Sequence, residues 1–166
     1  MLRVVFAAAL TVALVGAVTP VVDDARRTNA ATAVQGDLRT VERAALSLLE
    51  TDEDTPGVGA RRSVTVRLPS RSWTDAGLAY VSVGGPPDGS AAGPGRGVVV
   101  YRVRGGEPRR ATLDVPLYAP DGPLVLRDDG DHRLVLGVER VDGRRVVTVR
   151  SADPTVQVRS RNQGGS

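Results

Sequence analysis

The sequence contains no cysteine in its 166 residues, which excludes disulfides, thiolate metal sites, a cysteine nucleophile and a lipidated N-terminal cysteine. Lysine is absent as well, so that all 22 basic residues are arginine. Aromatic residues make up only 3% of the chain, so a core must be built mainly from Val, Leu and Ala. A core dominated by Val favours β structure.

Candidate catalytic groups are equally scarce. His132 is the only histidine, and it has no second histidine or cysteine with which to form a catalytic pair or metal site, so we expect it at the surface. Asp128, Asp129 and Asp131 resemble part of a calcium loop but lack the later bidentate Glu, which favours a solvated turn. The Gly-rich residues 93–97 precede a strand and lack Lys-Ser/Thr, so they do not match a phosphate loop. We therefore predict no catalytic, cofactor or metal site, and a protein that is not an enzyme.

The chain begins with a long uncharged segment. Residues 4–22 contain no charged side chain, and 19 helical residues span about 28 Å, close to the thickness of a bilayer core. Arg3 precedes this segment, and Asp23 and Asp24 follow it. A short basic N-terminus stays inside the cell, so the rest of the chain is expected to be exported.

Three interpretations of this segment remain open. It is an uncleaved anchor, a secretory signal cut near the small residues Val15-Gly16-Ala17, or a buried core helix. We favour the anchor, with residues 1–24 as the anchor or signal segment. The expected location is the cell membrane, crossed once, with the C-terminal domain extracytoplasmic.

An amphipathic segment follows and supports the anchor. Its apolar residues recur at spacings of three and four, the pattern of a helix with one association seam. Residues 25–55 are therefore predicted as an amphipathic stalk helix, continuous with the apolar one and capped at Thr28 or Asn29 if it restarts. The predicted helix-association seam consists of Val34, Leu38, Val41, Ala45 and Leu48.

From residue 56 the periodicity changes to two, which predicts an antiparallel β domain over residues 56–158. Strands are expected around 64–68, 79–83 and 124–126, with 155–158 as a candidate last strand. Residues 84–97 are expected to form a flexible loop, and residues 159–166 a disordered tail. The fold class is α+β: a long N-terminal helix followed by a mostly antiparallel sheet of six or seven strands.

Two hairpins can be predicted in register. Asp142-Gly143 supplies a two-residue turn that places Val138 opposite Val147 and Leu136 opposite Val149. At Gly105-Gly106, a three-residue loop with a bulge is preferred because it places Tyr101 opposite Ala111 and Val99 opposite Leu113.

Four side chains are candidates for surface contact: Trp73, in a polar loop, and Arg102, Arg104 and Arg110, on one face of the second hairpin. Nucleic-acid binding would need aromatic platforms beside the arginines, and by alternation Tyr101 points to the opposite face. No nucleic-acid partner is therefore expected.

The basic start, the apolar residues 1–22 and the amphipathic residues 34–49 before a β domain resemble type IV pilins and pseudopilins, and the whole chain resembles haloarchaeal membrane-anchored proteins of that kind. In this chain Arg3 is followed by Val4-Val5 instead of a small residue, and the apolar run contains no Glu. The resemblance therefore implies an accessory component of a surface pilus or secretion assembly, not a major fibre subunit. Its partners would be the membrane, pilus or secretion components, and further copies of the chain by lateral self-association.

A second hypothesis is a solitary exported β domain. It would bind a ligand or cell-surface polymer through residues 84–97 and Trp73.

Overall fold

The structure is a computed structural model that describes residues 2–51, 61–89 and 92–152, with side chains described from residue 22 onward. In these residues one long helix precedes a single seven-stranded sheet, so the predicted α+β class is confirmed. The elements are helix α1 (Leu2–Thr51) and strands β1 (Arg61–Leu68), β2 (Leu78–Val83), β3 (Gly95–Val103), β4 (Pro108–Tyr118), β5 (Leu124–Leu126), β6 (Gly130–Val141) and β7 (Arg144–Ser151).

Helix α1 joins the predicted apolar and amphipathic segments without a break. The predicted continuity of the two segments is confirmed, and the alternative of a helix that restarts with a cap at Thr28 or Asn29 does not apply. The Thr28 hydroxyl instead donates to the Asp24 carbonyl, 2.9 Å away within the helix. Such bonding to the preceding turn is what a helical threonine makes when it is not a cap.

Several predictions concern residues or side chains that the structure does not describe. For the predicted anchor, residues 4–22, the backbone is helical, but the side chains of residues 2–21 lie outside the description. Residues 52–60 and 153–166, with the candidate strand 155–158 and the tail 159–166, also lie outside it. In the described part of the chain, no helix combines the length and the apolar character needed to cross a membrane.

The strands are ordered β1-β6-β7-β4-β3-β2-β5 across the sheet. Every neighbouring pair is antiparallel except β4 and β7, which are parallel at Leu117–Val147 and Tyr118–Thr148. The sheet is therefore mixed, with one parallel pair in the mostly antiparallel arrangement that the sequence predicts. Strands β4 and β7 are joined through β5 and β6, and that long connection lets them run in the same direction.

The β6–β7 hairpin has the predicted register. Val138 pairs with Val147 and Leu136 with Val149. At the turn, Asp142 and Gly143 have φ values of 49° and 77°, as a two-residue type I′ turn requires at both central positions. Turn chemistry and hydrophobic pattern agree here, so local sequence determines the pairing.

The β3–β4 register was predicted wrongly. Tyr101 pairs with Arg109 and Val99 with Ala111, a shift of two residues from the expected partners. The difference lies in the turn, where the Gly106 N–H donates to the Val103 carbonyl at 3.0 Å and the chain reverses one residue earlier than predicted. A shift of two preserves which side chains face the core, so the apolar pattern alone does not distinguish the two registers.

Several backbone groups of residues 84–97, the segment predicted as a flexible loop, form hydrogen bonds over the part that is described. The Gly84 N–H donates to the Val98 carbonyl at 2.8 Å, and the Ala92 N–H donates to the Gly84 carbonyl at 2.8 Å. The Ser82 hydroxyl donates to the Gly85 carbonyl at 2.7 Å. Gly84 and Gly85 are buried, and β3 already begins at Gly95.

The hydrophobic core lies between α1 and one face of the sheet. On that face the inward residues alternate along the strands, as in β1, where Val64, Val66 and Leu68 are buried and their neighbours are exposed. The helix contributes Ala30, Ala31, Val34, Leu38, Val41, Ala45 and Leu48 to the same cluster. Helix and sheet therefore fold as one unit from about residue 30 onward.

Candidate functional site

The predicted association seam is buried inside the fold. Val34, Leu38, Val41, Ala45 and Leu48 are all buried in the core cluster formed with the strands of the same chain. Their spacing predicts contact with another chain, whereas the structure places the chain's own sheet against them. The same helical periodicity serves either contact, so the pattern alone does not identify the partner.

Two acidic side chains of α1 reach backbone groups of the sheet. Asp37 Oδ2 accepts the Arg67 N–H at 3.1 Å, and Glu42 Oε1 accepts the Asp114 N–H at 2.7 Å. Arg67 lies on β1, an edge strand, and Asp114 lies on β4 before its pairing with β7 begins. Both carboxylates therefore satisfy strand donors that no neighbouring strand reaches.

Asp37 titrates abnormally because of this position. Burial raises its pKa from the ordinary value near 3.8; the hydrogen bond from Arg67 lowers it, and the negative charge of Asp131 raises it further. Desolvation disfavours the charged form, so the folded state holds the Asp37 proton more tightly than the unfolded chain does.

Trp73 is the most exposed large apolar side chain that the structure describes, with 84% of its surface accessible. The loop that carries it, between β1 and β2, is fixed to α1. Arg26 Nε donates to the Trp73 carbonyl at 2.6 Å, and Asn29 Nδ2 donates to the Thr74 carbonyl at 3.0 Å. The Arg26 guanidinium also lies over the indole ring, 5.4 Å from its centroid.

The three arginines predicted for surface contact, Arg102, Arg104 and Arg110, are exposed, but they do not form one continuous basic patch. Arg110 pairs with Val100, which shares a sheet face with Arg102, so these two lie on the same side of the hairpin. Arg104 instead forms an ion pair with Asp129 at 3.1 Å. Tyr101 is buried and offers no stacking surface beside them.

His132 is buried, which corrects its predicted surface position. It lies on β6 opposite Val66, and its Nε2 is 2.7 Å from the Asp128 carbonyl oxygen. The flanking charges of Asp131 and Arg133 suggested exposure, but alternation along the strand turns those two outward and His132 inward.

The three aspartates around Gly130 each contact a different residue, two through an ion pair and one through the backbone carbonyl. Asp129 pairs with Arg104, Asp131 lies 3.8 Å from the Arg67 guanidinium, and the Asp128 carbonyl meets His132. Among the described residues, no group of three or more His, Cys, Asp or Glu is placed to hold a metal ion.

A cavity of about 450 Å³ opens where β4 and β7 separate. The two strands pair only at Leu117–Val147 and Tyr118–Thr148, so the residues before these points diverge. The start of β3 closes a third side. The lining comprises Pro94, Gly95, Arg96, Asp114, Val115, Pro116, Arg144, Arg145 and Val146.

This lining carries three guanidinium groups and one carboxylate. Arg145 donates from Nη2 to the Leu49 carbonyl near the end of α1. Within the described ranges, no ion pair involves Arg96 or Arg144, and both are exposed. Guanidinium groups bind carboxylate and phosphate oxygens in pairs, so the cavity is suited to an anionic group.

Little in the sequence indicates this cavity. Arg96 lies near the end of the predicted loop 84–97, whereas Arg144 and Arg145 follow a turn almost fifty residues later. They meet because β4 and β7 pair in parallel, a long-range contact that no local pattern signals. The Asp-Gly turn before Arg144 fixes where β7 begins, which is the only part of the site that sequence reasoning could place.

The fold and these surfaces define an α+β domain in which a long helix is packed on a mixed sheet. The chain belongs to the family described as domain of unknown function (DUF7311), whose family model matches residues 1–152. The match includes α1 and all seven described strands, so helix and sheet together form the family's unit. No curated protein and no solved structure matches the chain.

Proposed function

We propose that this chain is a membrane-anchored, non-enzymatic accessory component of a surface pilus or secretion assembly, with its β domain outside the cytoplasm. The observation that carries the proposal is the single continuous helix, of which only the later part is needed to cover the sheet. The core residues of α1 begin at Ala30, and the helix extends back to Leu2.

The length of the earlier part fits a bilayer. From the contact at Arg26, α1 continues for 24 residues toward Leu2, about 36 Å at 1.5 Å per residue. This length exceeds the roughly 30 Å of a hydrocarbon core. The uncharged residues 4–22 occupy this part of the helix and are the membrane anchor of the proposal.

The anchor is tested by placing charge at the centre of the uncharged run. We expect the Val12→Arg/Leu14→Arg chain to leave the membrane fraction on alkaline carbonate extraction, because each charge costs about 2.5–3.5 kcal/mol at mid-bilayer. Leu46→Arg is the matched control, since it adds the same charge to an exposed position of α1. A wild-type chain that is extracted as fully as the double variant would contradict the anchor.

Association with an assembly has to use surfaces other than the buried seam. The outer face of α1 is available, because Leu46 is 40% exposed beside the buried Ala45 and Leu48. The chain has no cysteine, so a single introduced thiol reports contacts cleanly. We expect Leu46→Cys, and not Leu48→Cys, to form disulfide-linked species in membranes; equal crosslinking at both positions would mean that the seam is not buried.

The second candidate function is an exported domain that binds an anionic ligand or polymer. The cavity between β4 and β7 favours it, because Arg96 and Arg144 are among the residues that line this space of about 450 Å³. We expect pyrophosphate, used as a probe in calorimetry, to bind the wild-type chain and to lose binding with Arg96→Gln/Arg144→Gln. Arg61→Gln/Arg62→Gln on β1 is the control, and equal binding to both variants would exclude the cavity.

A further inference from the structure

The β1–β2 loop is clamped to α1 just after the uncharged run ends. Besides the bonds from Arg26 and Asn29 to the carbonyls of Trp73 and Thr74, the Ala76 N–H donates to the Arg26 carbonyl at 3.3 Å. Three contacts over one helical turn fix the position of this loop along the helix axis.

Within the loop, the indole is presented to the outside. Trp73 is 84% exposed, and Arg26 lies over one face of its ring. A single exposed apolar side chain is common on a folded domain, so the case for Trp73 depends on its position and on the contacts that hold its loop. Tryptophan is enriched where one end of a side chain is apolar and the other is wet, above all at membrane interfaces.

The spacing matches such an interface. Val22 ends the uncharged run, and Arg26 follows four residues later, which is about 6 Å along the helix axis. The headgroup region on each side of a hydrocarbon core is about 5–8 Å thick. If residues 4–22 fill the core, the clamp and Trp73 lie at the level of the headgroups.

The charges around the loop nearly cancel. Arg26 pairs with Asp23 at 3.5 Å and Arg27 with Asp24 at 3.1 Å. The Asp75 carboxylate accepts the Gly77 N–H at 2.7 Å. A surface with balanced charge is not selective for anionic lipids, so the polarity gradient of the bilayer is the feature it fits.

We propose that Trp73, held by Arg26 and Asn29, inserts into the headgroup layer of the bilayer and fixes the orientation of the β domain on the membrane. This inference rests on the proposed membrane anchor. The occupant of the surface is the lipid interface itself, and charge balance makes insertion independent of the content of anionic lipid.

Intrinsic fluorescence tests the inference directly, because Trp73 is the only tryptophan in the chain. The full chain is reconstituted into phosphatidylcholine vesicles, floated on a gradient, and measured with lipids brominated near the headgroup or near the chain end. We expect a blue-shifted emission, protection from acrylamide, and stronger quenching by the shallow bromines. Adding phosphatidylglycerol should leave these values unchanged.

Different results would contradict the membrane anchor and the interfacial insertion of Trp73. Flotation with Trp73 still open to acrylamide and unquenched by shallow bromines would overturn the interfacial insertion alone. Absence of flotation would overturn the anchor and the insertion with it. Asn29→Ala should lose much of the shallow quenching while still floating, whereas Thr32→Ala, whose hydroxyl bonds only within α1, should keep it.

Discussion

Glu42 Oε1 accepts the backbone N–H of Asp114 at 2.7 Å, so a helix side chain completes the hydrogen bonding of a strand in the middle of the sheet. The contact lies where β4 and β7 separate and no neighbouring strand reaches Asp114. It joins residues 72 positions apart. The helix therefore supplies an acceptor where β7 diverges from β4 and does not pair with Asp114.

Removing this acceptor should destabilise the fold modestly. We expect Glu42→Ala to lower the free energy of unfolding by about 0.5–1.5 kcal/mol, because water replaces the lost partner only in part. Glu42→Gln keeps an oxygen acceptor and should lose less. Urea unfolding of the full chain measures both, with Glu50→Ala, an exposed helix glutamate, as control; a loss equal to that of Glu50→Ala would show that the contact contributes nothing.

A substitution in the buried seam should cost more stability than the loss of the Glu42 contact. Leu38→Ala should cost about 2–5 kcal/mol, since it removes a buried side chain from the core between helix and sheet. Leu46→Ala on the exposed face of the same helix should cost about 0.5 kcal/mol or less. The free energy lost in Leu38→Ala should be the same at high and low protein concentration. A loss that appears only at high concentration would indicate that the seam contacts another chain.

Gly84 is constrained both by its backbone conformation and by close packing, and substitutions can separate the two effects. Its φ is +90°, and a Cβ placed there would lie 2.7 Å from the Ala119 Cβ. Gly89 has a φ of +96° with open space around it. We expect Gly84→Ala to destabilise the chain by more than the backbone cost of about 1–3 kcal/mol that Gly89→Ala shows alone.

Thermal unfolding compares the two glycine variants. Gly84→Ala/Ala119→Gly should recover part of the difference, because the second change removes the methyl group that the new Cβ meets. Equal unfolding temperatures for Gly84→Ala and Gly89→Ala would contradict tight packing at this turn.

The raised pKa of Asp37 predicts a pH dependence. Between its ordinary pKa near 3.8 and its raised value in the fold, the folded chain binds more protons than the unfolded one, so stability falls as pH rises through this window. Asp37→Asn lacks this titration but keeps an oxygen that accepts the Arg67 N–H. Relative to wild type, the variant should therefore gain stability as pH rises from below 3.8 through the raised pKa, and a relative loss with rising pH would reverse the assigned direction.

Sequence predicted the parts of this fold that local chemistry controls. The Asp142-Gly143 pair predicted a turn and its register, and the period-two pattern located β1 and β2. The β3–β4 register was predicted wrongly by two residues because the turn, closed by the bond from the Gly106 N–H to the Val103 carbonyl, is centred one residue earlier than expected. Both registers place the same side chains on the core face, so the hydrophobic pattern does not distinguish them.

The candidate sites depended more on contacts distant in sequence. Trp73 could be selected from its polar surroundings, but its clamp by Arg26 joins residues 47 positions apart. The cavity depends on the parallel pairing of β4 and β7, and the burial of His132 depends on β1 lying beside β6. Such placements are decided by tertiary packing, which overrides local propensity.

Protease digestion of intact and lysed cells, followed by mass determination of the N-terminus, tests the anchored topology most directly. We expect digestion of the β domain in intact cells, on a chain that sediments with membranes and retains the uncharged residues 4–22. Digestion only after lysis, a full-length chain free in solution, or a new N-terminus at Val18 would contradict a protein held at the outer surface by its own helix.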